Sequence, residues 1–407
     1  DEFDVDGIRL DAADVLDFEF MKALRAVANQ VKPDFWLMGE VIHGDYTRWV
    51  NEGTLHSVTN YNLHKALYSG HNDHNYFEIA HTVKRLYDMG GNRPDGLKLY
   101  NFVDNHDVER IYTKLNNKAH FAPVHILLYT LPGVPSIYYG SEFAIEGKKE
   151  NYSDDSLRPA LKLSDFSDAL DNNPATRLIA ALGAIRRDNP VLSYGEYCER
   201  MLTNRQYAFS RKSGSDYALI AVNNDDGDFG ASLPVEGGGT YIGLLSGTRA
   251  LVKDGRIDIT IKANSGDIWV PAEKAGGEDY TVETKAPEPV VITEPAPQQT
   301  AQPEAKQAET TEVSQAQPEA GQVEKEAESQ AEPQTQEEHK LQEAQPQPEA
   351  VRESSVQTMT YEEGIIRGLQ EAILARMEKN GPVTDQMRRD VENNVYHDSL
   401  INWIKSF

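Results

Sequence analysis

An arginine and an aspartate lie two residues apart near the start of the chain, in the stretch DGIRLDAA. Side chains of a β-strand point alternately to its two faces. Arg9 and Asp11 therefore share one face, and Ile8 and Leu10 make the opposite face apolar. A guanidinium beside a carboxylate indicates either a reactive site or an ion pair on the solvated face of an edge strand. This octapeptide alone does not choose between the two interpretations.

Two further carboxylates follow predicted strands. Glu40 lies at the end of FWLMGEV, and Asp107, beside His106, lies at the end of LKLYNFVDNHD. The loops after parallel strands face one cleft in a (β/α) barrel or a doubly wound sheet. We therefore expect Asp11, Glu40 and Asp107 to converge in space.

Converging carboxylates with an arginine and a histidine suit the hydrolysis of a glycosidic bond. One carboxylate must attack the anomeric carbon, and a second carboxyl group must protonate the leaving oxygen. Arg9 would keep Asp11 ionised by its opposite charge. The apolar run before Glu40 suits a group that has to hold a proton. Asp107 beside His106 is placed to bind sugar hydroxyls as the ring distorts.

The elements that must position these residues alternate as short apolar strands and amphipathic helices up to about residue 166, which is typical of a parallel sheet. Strands are predicted at 6–13, 35–41, 54–61, 97–107 and 133–142. Helices are predicted at about 18–31, 76–89 and 174–188. From about residue 191 to 272, short strands separated by Gly, Asn and Asp turns predict an antiparallel β-sandwich.

The composition excludes several classes of function. The 407 residues carry a formal net charge of −25, from 40 basic and 65 acidic residues, which argues against a nucleic-acid partner that needs clustered Lys and Arg. No apolar run reaches the roughly 20 residues that cross a bilayer, so we predict no membrane span. Cys198 is the single cysteine, so no intrachain disulfide can form.

We predict no metal and no cofactor. His71, His74 and His81 with Asp73 do not have a recognised zinc-ligand spacing. We interpret these histidines as hydrated residues of a loop and a helix surface.

GIRLDAA, MGEV and FVDNHD match, in order and approximate spacing, the three catalytic-strand motifs of the alpha-amylase family of glycoside hydrolases. The chain resembles this family over about residues 1–272. The resemblance implies an α/β fold, namely the C-terminal part (strands four to eight) of a TIM (β/α)8 barrel followed by the β-sandwich. GEVIHGD and the Ala13-Asp14 continuation look more like the neopullulanase and cyclomaltodextrinase group than like secreted calcium-dependent amylases.

The resemblance also implies roles for individual residues. Asp11 would be the nucleophile of a retaining mechanism, Glu40 the general acid and base, and Asp107 the stabiliser of the transition state. Substrate-binding roles are implied for five more residues: Arg9, His106, His43, Asp154 and Arg158. For His43, an ordinary polar position in a loop is an equally good interpretation.

Strands one to three of the family's barrel have no counterpart here. We therefore expect further sequence upstream of Asp1, because five of eight barrel units leave open sheet edges and an unfilled interior. Catalysis would then require this N-terminal half, either in the same gene product or as a second chain.

Four regions are predicted along the chain: a partial barrel at 1–189, a β-sandwich at 190–275, a disordered linker at 276–355 and a helical tail at 356–407. Residues 281–350 hold fifteen Glu against four Lys and three copies of QPEA, a composition that buries too little apolar surface to fold. The tail is predicted as a helical hairpin that docks on a partner or an oligomer, or as a small domain without catalytic consequence.

We predict a retaining α-glucan hydrolase that acts on maltodextrin, cyclodextrin or starch-type substrates. Two other classes stay open. One is a non-catalytic carbohydrate-binding member of the fold, against which the presence of all three acids speaks. The other is an interaction or display protein in which the linker and the tail carry the function.

Overall fold

The structure, a computed structural model, describes residues 3–90, 96–151, 153–288, 290, 384, 388 and 389. The chain divides into two units, Asp1–Pro295 and Ala296–Phe407. All elements given below belong to the first unit. Most of the predicted linker and all but three residues of the predicted helical tail lie outside the described residues.

Five short parallel strands occupy the first part of the chain: β1 (Gly7–Leu10), β2 (Trp36–Gly39), β3 (Ser57–Val58), β4 (Tyr100–Phe102) and β5 (Val134–Ser136). Each is a neighbour of the next in chain order, with a Thr59–Tyr100 bridge joining the end of β3 to β4. Strands that follow one another without a reversal of order are typical of a barrel, whereas a doubly wound sheet has a switch point.

Eight α-helices are described: α1 (Phe18–Val31), α2 (Tyr61–Asn72), α3 (Tyr76–Met89), α4 (Ile111–Lys114), α5 (Phe121–Thr130), α6 (Ala169–Asn172), α7 (Pro174–Asp188) and α8 (Val191–Tyr194). The predictions of α1, α3 and α7 are confirmed. Asp17 caps α1 by accepting from the Phe20 amide at 3.0 Å, and Pro174 begins α7 directly after the capping Asn173.

Helix α2 was not predicted, and the strand predicted at 54–61 is reduced to the two residues of β3. The side chain of Asn60 accepts from the Leu63 amide at 3.1 Å, so it caps a helix instead of continuing the strand. Leu63, Ala66 and Leu67 then bury one face of α2. The cap at Asn60 and the helical spacing of the apolar residues after it therefore produce a helix, although the β-branched residues before Asn60 favour a strand.

Eight antiparallel strands follow: β6 (Glu196–Leu202), β7 (Gln206–Ser213), β8 (Asp216–Asn223), β9 (Phe229–Pro234), β10 (Thr240–Gly243), β11 (Arg249–Leu251), β12 (Arg256–Ile261) and β13 (Ser265–Pro271). Six of them form a sheet in the order β11-β10-β13-β8-β7-β6, and β12 pairs with β9. Alternate residues of β12, such as Ile257 and Ile259, share a buried apolar cluster with Leu219 and Trp269 of the larger sheet.

The stretch after β13 stays packed beyond the predicted start of the linker at residue 276. Tyr280 is only 7% exposed, and its hydroxyl donates to Asp188 Oδ2 at 2.7 Å. Val290 bridges Ile145 in parallel and packs against the apolar cluster around Ile145. Packing therefore extends as far as Val290, because Tyr280 is buried and Val290 is partly buried within the otherwise polar segment.

Candidate active site

Asp11 and Glu40 come directly after the ends of the neighbouring strands β1 and β2. Leu10 is paired with Gly39 in the parallel register, so the next residue of each strand lies beside that of the other. A Cβ at Gly39 would lie 2.7 Å from the Cβ of Ala13 and 2.5 Å from Leu55 Cδ1. The glycine in MGEV therefore leaves room for Ala13 and Leu55 to pack against the end of β2.

One guanidinium joins the two carboxylates. Arg9 Nη1 lies 2.6 Å from Asp11 Oδ1, and Arg9 Nη2 lies 3.0 Å from Glu40 Oε2. The Asp11 side chain is 77% exposed, whereas that of Glu40 is 11% exposed. The hydrogen bond and the charge of Arg9 lower the pKa of Asp11. The contact of Arg9 with Asp11 was expected, and the contact with Glu40 was not.

Tyr61 and Asn105 extend this cluster, and neither was predicted. The Tyr61 hydroxyl donates to Glu40 Oε1 at 3.1 Å and accepts from Asn105 Nδ2 at 3.2 Å. Burial raises the pKa of Tyr61 to about 12. Asn105 lies inside the motif FVDNHD, so the sequence alone could have indicated it. Tyr61 can be identified only when α2 is known to begin at this residue.

Asp107 has its own set of partners. His106 Nε2 lies 3.1 Å from Asp107 Oδ2, and Arg158 Nη2 lies 3.2 Å from Asp107 Oδ1 and 3.4 Å from Asp154 Oδ2. Lys149 Nζ donates to the Asp107 carbonyl at 3.0 Å. Lys149 and Arg158, which follow β5, therefore both contact Asp107, which follows β4.

The two groups belong to one cluster. Asn105 Oδ1 accepts from the Asp107 amide at 2.8 Å while its amide nitrogen contacts Tyr61. The Asp107 carboxylate also contributes to the raised pKa of Arg9, together with Asp11 and Glu40. Seven predicted site residues thus come together: Arg9, Asp11, Glu40, His106, Asp107, Asp154 and Arg158.

His43 is placed apart from them. It is exposed in the loop after β2, and no hydrogen bond or ion pair within the described part of the chain links it to the acids. A contact of His43 with the leaving group of a substrate stays a prediction.

Two buried side chains of opposite charge, Asp104 and Arg110, are joined through the Ser141 hydroxyl and support the loops of the site. Asp104 accepts from the Ser141 hydroxyl with both oxygens at 2.8 Å. Arg110 donates to Ser141 Oγ at 3.0 Å, to the Tyr139 carbonyl at 2.6 Å and to the Leu157 carbonyl at 2.8 Å. Burial raises the pKa of Asp104 and lowers that of Arg110. The pair ties the loop after β4 to the loop that carries Asp154 and Arg158.

The interpretation of His71 as a hydrated surface residue is wrong. Its side chain is fully buried on the inner face of α2, where Tyr76 donates to its Nε2 at 3.2 Å. Burial lowers the pKa of His71 to about 3. The error follows from the missed helix, since Leu63, Leu67 and His71 share one helical face. In the part of the chain that the structure describes, no three His, Cys, Asp or Glu side chains are grouped to hold a metal ion.

A cleft of about 630 Å³ lies elsewhere, among the antiparallel strands. Its buried carboxylate, Asp267, accepts from the Leu245 amide at 2.9 Å and the Ile268 amide at 2.8 Å. These backbone donors give Asp267 a structural role in shaping the turn. The cleft therefore adds no acid to the chemistry described above.

None of the helices among residues 3–90, 96–151 and 153–288 is long and apolar enough to cross a membrane.

Comparison with known proteins assigns the first part of the chain to a family. Residues 1–179 match the family model of the alpha amylase catalytic domain. The cyclomaltodextrinase of Thermoanaerobacter pseudethanolicus is 29% identical over 229 residues, which cover 55% of this chain and 38% of that protein. A cyclomaltodextrin glucanotransferase of Bacillus sp. (strain 1011) is 30% identical over 241 residues, covering 54% of this chain and 30% of that protein. The chain thus spans well under half the length of these relatives.

Solved structures of similar proteins superpose on about two thirds of this chain. An Anoxybacillus alpha-amylase superposes with a TM-score of 0.54 at 27% identity, over 66% of this chain and 59% of that one. A cyclomaltodextrin glucanotransferase with a three-domain ABC distribution gives a TM-score of 0.58 at 25% identity, over 66% and 56%. Residues 1–179 therefore match the catalytic domain of the alpha-amylase family, a TIM barrel.

Proposed function

We propose that this protein is a retaining glycoside hydrolase of the alpha-amylase type that acts on maltodextrin, cyclodextrin or starch-type α-glucans. The observation that carries the proposal is the guanidinium of Arg9 holding an exposed Asp11 and a largely buried Glu40 together at the ends of adjacent strands. The names of the relatives support an α-glucan substrate, since they are a cyclomaltodextrinase and glucanotransferases.

The geometry suits a double displacement. Asp11, kept ionised by Arg9, attacks the anomeric carbon while Glu40 gives its proton to the leaving oxygen, and a covalent glycosyl ester forms as the glycosidic bond breaks. Glu40, now a carboxylate, then takes a proton from a water molecule that attacks the same carbon and releases Asp11. Two inversions return the product to the α-configuration.

Asp107, His106 and Arg158 form the polar wall of the proposed subsite. Arg158 donates to Oδ1 of Asp107 and His106 lies 3.1 Å from Oδ2, so this carboxylate is oriented before a sugar arrives. Carboxylate oxygens that are fixed in advance lose little entropy when they bind sugar hydroxyls that strengthen their contact in the transition state. Asp154, which shares Arg158, extends this wall toward a more distant glucose.

We further propose that residues 1–189 form strands four to eight of the barrel, that 190–275 form a β-sandwich domain, and that turnover needs strands that pair with the barrel edges. Among the described strands, β1 pairs only with β2 and β5 only with β4. Near β1, Phe3 and Val15 are about four-fifths exposed. Open parallel edges flanked by exposed apolar side chains support additional strands at this place.

The test incubates the 407-residue chain with maltodextrin and with cyclodextrin, both alone and with a segment that supplies the additional barrel strands. We expect the supplemented form to release reducing sugar, and we expect NMR to show the α-anomer of the product first. Robust turnover by the 407-residue chain alone would contradict the need for further strands but not the hydrolase. Binding of maltooligosaccharide without turnover by either form would overturn the hydrolase and favour a carbohydrate-binding protein.

Replacing Arg9 by glutamine tests the electrostatic role of the guanidinium. Arg9 lowers the pKa of Asp11, so the ionised nucleophile persists to lower pH than an ordinary carboxylate would. In R9Q we expect the acid limb of kcat/KM to move to higher pH and kcat to fall by about 10²-fold, as for the loss of one preorganised donor. The measurement is a pH–rate profile of the active form, with R249Q on β11 as the exposed control. An acid limb that stays in place would refute this role.

A further inference from the structure

Tyr61 is fixed between two strands by its surroundings. It is the first residue of α2, whose start is tied to β4 because Asn60 donates to Asn101 Oδ1 at 2.8 Å. The ring packs edge-on against Phe102, with centroids 5.0 Å apart and planes at 81°. A capped helix start and an aromatic contact thus determine where the Tyr61 hydroxyl lies.

The hydrogen bonds around that hydroxyl have only one consistent direction. Asn105 Oδ1 accepts from the Asp107 amide at 2.8 Å and the Val108 amide at 3.1 Å. The Asn105 amide nitrogen must therefore face Tyr61, to which it donates at 3.2 Å. Because the Tyr61 oxygen accepts this bond, its own hydrogen points to Glu40 Oε1 at 3.1 Å.

The two oxygens of Glu40 differ in their partners. Oε2 lies 3.0 Å from Arg9 Nη2 and accepts from the Ala12 amide at 3.3 Å. Oε1 accepts from Tyr61. The Tyr61 donor stabilises the carboxylate form of Glu40, since a proton on Oε1 would meet the hydrogen of Tyr61, whereas the hydrogen bond between Glu40 and Asp11 favours the protonated form.

We propose that Tyr61 is a positioning residue that biases Glu40 toward its carboxylate form and orients it for proton exchange at Oε1. The same hydroxyl links Glu40, through Asn105, to the loop that carries Asp107. A change in the position of that loop is then transmitted to the protonation of Glu40 without direct contact between the two acids. Tyr61 gives up no proton of its own in this scheme, in keeping with its pKa of about 12.

The role in turnover rests on the proposed function, whereas the bias of Glu40 does not. Removing the hydroxyl in Y61F makes protonation of Glu40 easier. We therefore expect the alkaline limb of kcat/KM to move to higher pH, with kcat/KM roughly tenfold above the wild type at the alkaline end of the profile. The acid limb, which reports Asp11, stays in place.

The control is Y46F. Tyr46 is also buried, and its hydroxyl accepts from Asn62 of α2 at 3.0 Å, but it has no hydrogen bond to an acid within the described residues. Both variants remove a hydroxyl that is hydrogen-bonded at the start of α2, so both are expected to lower thermal stability. Only Y61F is expected to move the alkaline limb. A shift of that limb in both variants, or in neither, would overturn the proposal.

A second readout does not need turnover. The carboxyl carbon of Glu40 is observed in the 407-residue chain labelled with ¹³C-glutamate, and its signal is assigned by its loss in E40Q. The titration midpoint of this signal is expected to rise in Y61F and not in Y46F. If the wild type is inactive but the Glu40 midpoint still rises in Y61F, the proposed hydrolase is refuted and the effect of Tyr61 on the protonation of Glu40 is supported. An unchanged midpoint in a folded Y61F refutes the bias whatever the activity.

Discussion

Replacing Glu40 by glutamine is expected to lower hydrolysis of maltodextrin by about 10²–10⁴-fold or more while leaving maltooligosaccharide binding largely intact. Glutamine has nearly the same shape and keeps an oxygen that accepts from Tyr61 or Arg9, whose bonds to Glu40 are 3.1 and 3.0 Å long. It has no proton to deliver to a leaving oxygen and cannot take one from water. The loss is therefore one of chemistry and not of fold.

Two measurements separate these effects in the form of the protein that turns over. Calorimetry gives the Kd for maltooligosaccharide, and initial rates give kcat. A substrate with a leaving group that departs without protonation is expected to restore the first step but not the second, because the ester on Asp11 still needs a base for its hydrolysis. The resulting accumulation of covalent sugar on the protein is visible by mass spectrometry.

The matched control is E78Q. Glu78 of α3 is also partly buried and bonded, to Lys65 at 2.9 Å and to Ser69 at 2.6 Å, but it lies outside the candidate site. Its replacement is expected to leave kcat unchanged. Equal losses in E40Q and E78Q, or full activity in E40Q, would remove Glu40 from the proposed mechanism.

Replacing Arg110 by alanine is expected to lower the free energy of unfolding by about 3–5 kcal/mol. The Arg110 side chain is fully buried, and Asp104 is 2% exposed. Without the guanidinium, Asp104 loses the nearest opposite charge, and the carbonyls of Tyr139 and Leu157 lose their donor. A buried carboxylate without a counter-charge costs far more than a surface ion pair contributes.

Urea unfolding of the 407-residue chain, followed by circular dichroism, measures this change. The control is R187A, because Arg187 is exposed and pairs with the partly exposed Asp188 at 2.7 Å. R187A is expected to change the free energy of unfolding far less than R110A does. Replacing both members of the buried pair by apolar residues, as in D104L/R110M, is expected to recover part of the loss. If R110A and R187A cost the same, the pair does not support these loops.

Several features follow from the sequence by itself. The alternation in GIRLD predicts that Arg9 and Asp11 share a face, and their 2.6 Å contact confirms it. Helices α1, α3 and α7 follow from apolar periodicity and their capping or terminating residues. The convergence of the acids follows from the position of Glu40 and Asp107 just after strands. Each of these inferences uses a local pattern, namely the alternation in a strand, the period of a helix or a carboxylate that follows a strand.

Other features depended on the tertiary structure. Whether Arg9 also reaches Glu40, 31 residues away, is decided by the register of β1 against β2. Tyr61 reaches Glu40 because α2 begins where a strand was predicted to continue. The burial of Arg110 depends on carbonyls of a loop 29 and 47 residues farther along the chain. Partners that are distant in the sequence leave no local pattern, so only the packing of strands and loops reveals them. The sequence determines which groups can react, and the packing determines which of them come into contact and which partners stabilise their charges.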